Sequence, residues 1–216
     1  MYDISYTKDL REHLKPTDTR AVQVSNALSA LKRIEPYTAS HSHRVGLIAA
    51  KIAQILQLAK EQITKVNAAG MLHDIGKSGV SLSALLKPSS LSDEEYKEIK
   101  KHPELGAQLI QSSPTLLELL PGILYHHERF DGTGYPFGLS GEDIPLEARI
   151  IAIADTYDAI TSDRAYRLAR SHREAIHEIC RCAGTQFDPK IVDAVLNSEQ
   201  KLNFCIKDTM FIDKDL

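Results

Sequence analysis

The run Leu146–Thr161 is rich in Ile and Ala and apolar nearly all round, with charge only at Glu147, Arg149, Asp155 and Asp158. A helix that is apolar on every side is buried on every side. This segment therefore predicts a central helix against which the rest of the chain packs. The flanking segments supply partners with the same period. Val24, Leu28 and Leu31 are helically spaced in Ala21–Ile34. Val45, Ile48, Ala49, Ile52, Ile55 and Leu56 follow Thr38 or Ser40 as caps, and Ile63, Val66, Ala69 and Leu72 mark one side of Lys60–His73.

Further along, Ser92 with Glu95 three residues later is a capping box. It opens a helix expected to end near His102-Pro103. Glu104–Gln111, Thr115–His127, His172–Cys182 and Pro189–Leu196 read as the remaining helices, and Val80–Pro88 as a loop or turn. Strand signals are nearly absent. The Asp131-Gly132 pair lies in Arg129–Glu142, where glycines 132, 134, 138 and 141 and Pro136 dictate a long ordered loop. The expected fold is all-α, a single domain of about eight or nine helices with one long functional loop. Its expected bounds are 21–200, with a leader or linker over 1–20 and a tail over 201–216.

A net charge of −3 and a pI near 6.3 argue against nucleic-acid or membrane-surface partners. No apolar run reaches the roughly 18 residues that span a bilayer, and nothing resembles a signal peptide. The odd cysteine count (Cys180, Cys182, Cys205) reads as reduced thiols, so the expected compartment is the cytoplasm.

Nine histidines remain to be explained, several beside another His or an acid. His73-Asp74 ends an apolar helical run, and its carboxylate can bridge two cations. Gly76 lets the backbone leave the helix, and Lys77 brings a cation suited to phosphate. His41, His102, His126, His127 and Asp155 also fall on or beside helices, mostly at their ends. Helix-borne ligands converging in a bundle core can build a dinuclear site. Each has an ordinary alternative. His41 can be an N-cap, His102 a surface terminus, and Lys77 an exposed lysine. One of His126 and His127 can face away, and Asp155 can cap a helix or pair with Arg149 or Arg164. His43 reads as exposed or supporting rather than ligating.

Taken together, Tyr37–Val45, Leu72–Lys77, Lys101–Gly106, His126–Pro136, Ala148–Arg167 and Gly184–Pro189 resemble, in order, the motifs of the HD-GYP domains. These are a branch of the HD superfamily of metal-dependent phosphohydrolases. The resemblance covers about residues 36 to 195, and the His-His…Gly-Tyr-Pro run is its most specific part. It implies an HD-superfamily helical domain that hydrolyses cyclic di-GMP. It also implies one metal on His41, His73, Asp74 and Asp155, and a second sharing Asp74 and adding His102, His126 and His127. A bridging water between cations about 3.5–4 Å apart would be the nucleophile. Ligation by nitrogen and oxygen without thiolate suits iron or manganese. Lys77 would contact the scissile phosphate and assist the leaving oxygen. Arg164 and Arg167 would bind the nucleotide phosphates, Tyr135 would flank the substrate, and Asp158 would support the site. The Gly134-Tyr135-Pro136 loop would also meet other signalling domains.

Some family members have a Glu, four residues before the first ligand histidine, that reaches a third metal. Here the position is Tyr37, and a phenol with pKa about 10 is a poor ligand. Two metals are expected rather than three. The expected reaction is opening of cyclic di-GMP to pGpG, with onward cleavage to GMP left open. The competing readings are a weak or inactive cyclic-dinucleotide-binding module and an enzyme for a related cyclic dinucleotide.

Overall fold

A computed structural model describes residues 19–34, 36–87, 89–163 and 168–198. The expected leader and tail fall mostly outside these residues, as do Arg164, Arg167 and Cys205. Ten α-helices and three 3-10 turns make up the regular structure among the described residues. Ala183 and Phe187 form an isolated bridge, and there is no strand among those residues. The all-α expectation holds. No helix there is long and apolar enough to cross a membrane.

In chain order the helices are α1 (Thr19–Ile34), α2 (Pro36–Ile55), α3 (Lys60–Leu72), α4 (Leu82–Leu85), α5 (Asp93–Ile99), α6 (His102–Ile110), α7 (Leu120–Leu124), α8 (Leu146–Thr161), α9 (His172–Arg181) and α10 (Pro189–Leu196). Helix α8 is central, as its composition demands. Ala148, Ile150, Ile151, Ile153, Ala154 and Tyr157 are buried along it, and it packs against α2, α7 and α9. The most extensive helix pair is α2 against α3. A Cβ on Gly70 would lie 2.9 Å from Gly46 Cα, and one on Gly46 would lie 2.6 Å from Met71 Cγ. Two glycines thus let the backbones approach closely enough for His41 on α2 to reach His73 just past α3.

Four boundaries differ from the sequence expectation. Helix α2 begins at Pro36, so Thr38 and Ser40 are interior and His41 lies in the second turn. Proline is favourable at a first helical position because its missing N–H has no intrahelical partner there. The same rule places Pro103 near the start of α6, so the preceding helix stops at Ile99 and His102 opens a helix instead of closing one. Expected helix Thr115–His127 is a 3-10 turn at Leu117–Leu119 followed by the short α7, with Pro121 near its start. Within Val80–Pro88 lies the single turn α4, capped by Ser81. The capping box at Ser92 and Glu95 is present, with bonds of 3.2 and 2.7 Å.

Candidate metal centre

Three histidines are oriented by one repeated local device. The last carbonyls of an α-helix have no intrahelical donor. His73 Nδ1 donates to Gly70 O at 2.7 Å beyond α3. His102 Nδ1 donates to Ile99 O at 2.9 Å beyond α5, and His126 Nδ1 to Ile123 O at 2.7 Å beyond α7. A carbonyl only accepts, so Nδ1 carries a proton and each ring turns its Nε2 inward. His41 is held differently. Its Nδ1 meets Asp158 Oδ2 at 2.7 Å, and Asp158 is itself held by Arg44 Nε at 2.7 Å and Nη2 at 3.1 Å.

The inward atoms converge on Asp74, which is buried. Its Oδ2 lies 3.3 Å from His73 Nε2 and 3.7 Å from His41 Nε2; its Oδ1 lies 3.2 Å from His102 Nε2. The carboxylate therefore presents one oxygen to each of two groups. In one, ligand atoms of His41, His73 and Asp155 lie within 4.8 Å of one another; in the other, those of His102, His126 and His127 do. His41 Nε2 is 3.1 Å from Asp155 Oδ1. Both rings of the His126-His127 pair turn inward, 4.1 Å apart, with His102 5.2 and 5.0 Å from them. Gly76 makes this convergence possible. A Cβ there would stand 1.9 Å from His102 O, so only glycine lets the turn after Asp74 lie against the start of α6.

These residues fit divalent cations. His73 Nε2 is buried and makes no hydrogen bond. The Nε2 atoms of His102 and His126 face each other at 3.1 Å, although both protons are already committed at Nδ1. Burial keeps all three rings of that group neutral, lowering His102 to about 4, His127 to about 3 and His126 well below its usual value. Burial alone would raise Asp74, but His73 and Lys77 hold it well below the carboxylate range. Burial alone would lower His41, but Asp155 and Asp158 together raise it to about 9. A cation held at His41 would therefore replace a proton already held between carboxylates. The donor set is imidazole and carboxylate without thiolate, in keeping with a hard or borderline metal.

The sequence-based site residues distribute plainly. His41, His73, Asp74, His102, His126, His127 and Asp155 come together. Lys77 Nζ lies 2.6 Å from Asp74 Oδ2. Tyr135 stacks on His127 with centroids 4.7 Å apart and planes at 22°. Arg164 and Arg167 lie outside the described residues. His43 lines a cavity of about 330 Å³ between α1 and α2, with Val24, Leu28 and Met71. The fully buried carboxylate of α8 is Asp158; Asp155 keeps 23% of its side chain exposed. Arg149 pairs with Asp188 at 2.6 Å and not with Asp155. Sequence reasoning misses Arg44 and Glu128. Arg44 acts across 114 residues on Asp158, which no local pattern reveals. Glu128 is adjacent to the histidine pair, but its partners are backbone groups, which carry no side-chain signature.

A buried cluster of His and Asp in an all-helical domain defines the class: a helical protein with a candidate metal centre. The chain belongs to the HD domain family, whose model matches residues 16–191, and within it to the HD-GYP branch. It is 37% identical over 197 residues to a protein of Pseudomonas aeruginosa named cyclic di-GMP phosphodiesterase, covering 91% of this chain and 47% of the relative. It is 39% identical over 181 residues to the cyclic di-GMP phosphodiesterase response regulator of Xanthomonas campestris pv. campestris, covering 81% and 48%. The chain spans about half the length of these relatives. An HD-GYP-type protein of Bdellovibrio bacteriovorus shares the fold with a TM-score of 0.62 at 19% identity, covering 93% of this chain and 78% of that one.

Proposed function

We propose that this domain is a phosphodiesterase that opens cyclic di-GMP to linear pGpG at a two-cation centre. His41, His73, Asp74 and Asp155 form one side; Asp74, His102, His126 and His127 form the other. The single observation carrying this reading is the two-faced Asp74 carboxylate, with Oδ2 toward one ligand group and Oδ1 toward the other. The names of the curated relatives support the substrate. Divalent cations held by these residues would supply Lewis acidity, making water a better nucleophile and offsetting charge that builds on phosphoryl oxygens.

The chain's own residues do the rest. Asp158 and Arg44 fix the His41 ring, as second partners of ligating histidines do. Lys77 Nζ, beside Asp74 Oδ2, is the group that holds a phosphoryl oxygen and hands a proton to the departing 3′ oxygen. Tyr135, stacked on the His127 ring, flanks that side of the candidate site. Arg164 and Arg167, on the family resemblance, grip the remaining phosphate charge. Iron or manganese suits the donors. Tyr37, 41% exposed and stacked 6.4 Å from His41, offers no carboxylate, which favours two cations over three. Exposed Phe137 beside Tyr135 and Pro136 gives the loop an apolar surface for other signalling domains.

A second substrate is supported by relatives named for it. A Vibrio cholerae protein named 3′3′-cGAMP-specific phosphodiesterase is 34% identical over 202 residues. Competition between cyclic di-GMP and 3′3′-cGAMP in one incubation, with products separated, tests the choice. Faster opening of cyclic di-GMP supports the main reading, and preference for the mixed dinucleotide replaces it.

A further inference from the structure

Glu128 follows the two histidines, is 3% exposed, and is neither in a ligand group nor paired with a cation among the described residues. All three of its partners are backbone donors of the glycine loop. Its Oε1 accepts from Phe137 N at 2.7 Å and Gly138 N at 3.1 Å, and its Oε2 from Leu139 N at 3.1 Å. A carboxylate accepting several N–H groups is an anchor, since hydrogen bonds to a charged acceptor are stronger than neutral ones. The anchored turn directly follows Tyr135-Pro136. Tyr135 N in turn donates to His127 O at 3.2 Å, and its ring lies on the His127 ring. Lys100 Nζ sits over Tyr135 at 4.9 Å and over Tyr96 at 4.7 Å. Gly134 seats the loop, because a Cβ there would stand 2.5 Å from Glu128 Cα and 2.3 Å from Arg129 N.

We infer that Glu128 is a positioning residue: its carboxylate folds the glycine loop back so that Tyr135 covers His127 and holds that imidazole toward His102 and His126. It acts through Tyr135, not as a ligand or a base. The inference deepens the metal-centre reading and rests on it for its metal arm only.

The test compares the unsubstituted protein with Glu128→Gln and Gly134→Ala. In the Glu128→Gln variant an amide NH₂ must meet at least one of the three N–H donors, so the anchor is broken with little change of volume. Two readouts are taken on each. In the cation-free protein, NMR follows the Tyr135–His127 ring contact and the exchange of the Phe137, Gly138 and Leu139 amides. In a Co(II) titration, visible absorption follows the two binding steps. Both variants are expected to lose the ring contact and exchange those amides about ten-fold faster or more, while the Ile48 and Ala69 amides stay protected. One cobalt step is expected to weaken by about 10–100-fold and the other to stay put. If Glu128→Gln does not fold, Gly134→Ala decides. A retained ring contact with unchanged amide exchange overturns the inference, as does loss of protection throughout α2 and α3. Failure of the unsubstituted protein to bind cobalt refutes the metal reading, a result separable from the NMR arm.

Discussion

His102 and His126 point Nε2 at Nε2 across 3.1 Å while each donates Nδ1–H to a helix-terminal carbonyl. Two lone pairs at that separation repel unless something positive lies between them, and burial keeps both rings from supplying the proton themselves. The fold holds this arrangement rigidly, since each ring is tied to a carbonyl three residues earlier. His102→Ala is expected to abolish turnover and remove about one cation per chain. Metal analysis of anaerobically purified variant and parent checks it; equal content in both would exclude His102 as a ligand.

Asp74 faces both ligand groups, so its loss is expected to cost more than that of any single histidine. Asp74→Ala should bring hydrolysis below detection and leave less than about one cation per chain. Retained hydrolysis by metal-free variant would refute the proposed chemistry.

Asp158 touches His41 and Arg44 but lies outside the ligand groups. Asp158→Asn is expected to lower cation affinity at the His41 side by about 10–100-fold, the usual size for such partners. The same readout should separate it from Asp155→Asn, which removes a ligand and should abolish that site. Calorimetric titration with Mn(II) measures both.

Gly76→Ala places a methyl 1.9 Å from a backbone carbonyl. Overpacking typically costs about 1–3 kcal/mol, and a clash with backbone belongs at the upper end. Urea denaturation should show that loss, together with weakened cation binding, because Asp74 and His102 are driven apart. Unchanged stability would mean that the turn relaxes freely.

Acid should destabilise the cation-free protein before carboxylates titrate. The folded-state values of His102, His126 and His127 lie below the unfolded value of about 6.5. Their contribution is present above about pH 6.5 and is lost as pH falls toward about 4, because the unfolded chain takes up protons that the folded one refuses. His41, raised to about 9, is protonated in the folded state throughout that window; its stabilising share is complete only below about pH 6.5 and is lost as pH rises toward about 9, so it offsets a small part of the fall near neutral pH. The fall is at most about 1.4 kcal/mol per pH unit for each histidine. Urea midpoints between about pH 7 and about pH 4.5 check it, and a flat profile would contradict the burial of these rings as neutral groups.

Much of the fold is legible in local pattern. The all-apolar face of Leu146–Thr161 announces the central helix, and Ser92 with Glu95 marks the start of α5. The boundary at Pro103 departs from the sequence expectation because a proline that reads as an end serves there as a beginning, and helices also open at Pro36 and beside Pro121, inside what reads as one helix over Thr115–His127. The clustered histidines can be picked out by type and, except for His41 in the second turn of α2, by their place at helix ends. Their ring orientations cannot, since these depend on helix-terminal carbonyls whose positions follow from the last helical residue. The Arg44–Asp158–His41 chain and the loop anchor at Glu128 depend on tertiary contacts, the first across more than a hundred residues, and leave no mark in any local window.

The most direct measurement is product analysis of cyclic di-GMP incubated with protein reconstituted anaerobically with Fe(II) or Mn(II), with cations counted on the same sample. Linear pGpG, alone or followed by GMP, with about two cations per chain is the expected result. Two bound cations with cyclic di-GMP intact would contradict the phosphodiesterase assignment and leave a nucleotide-binding module. Three cations per chain would contradict the role given to Tyr37.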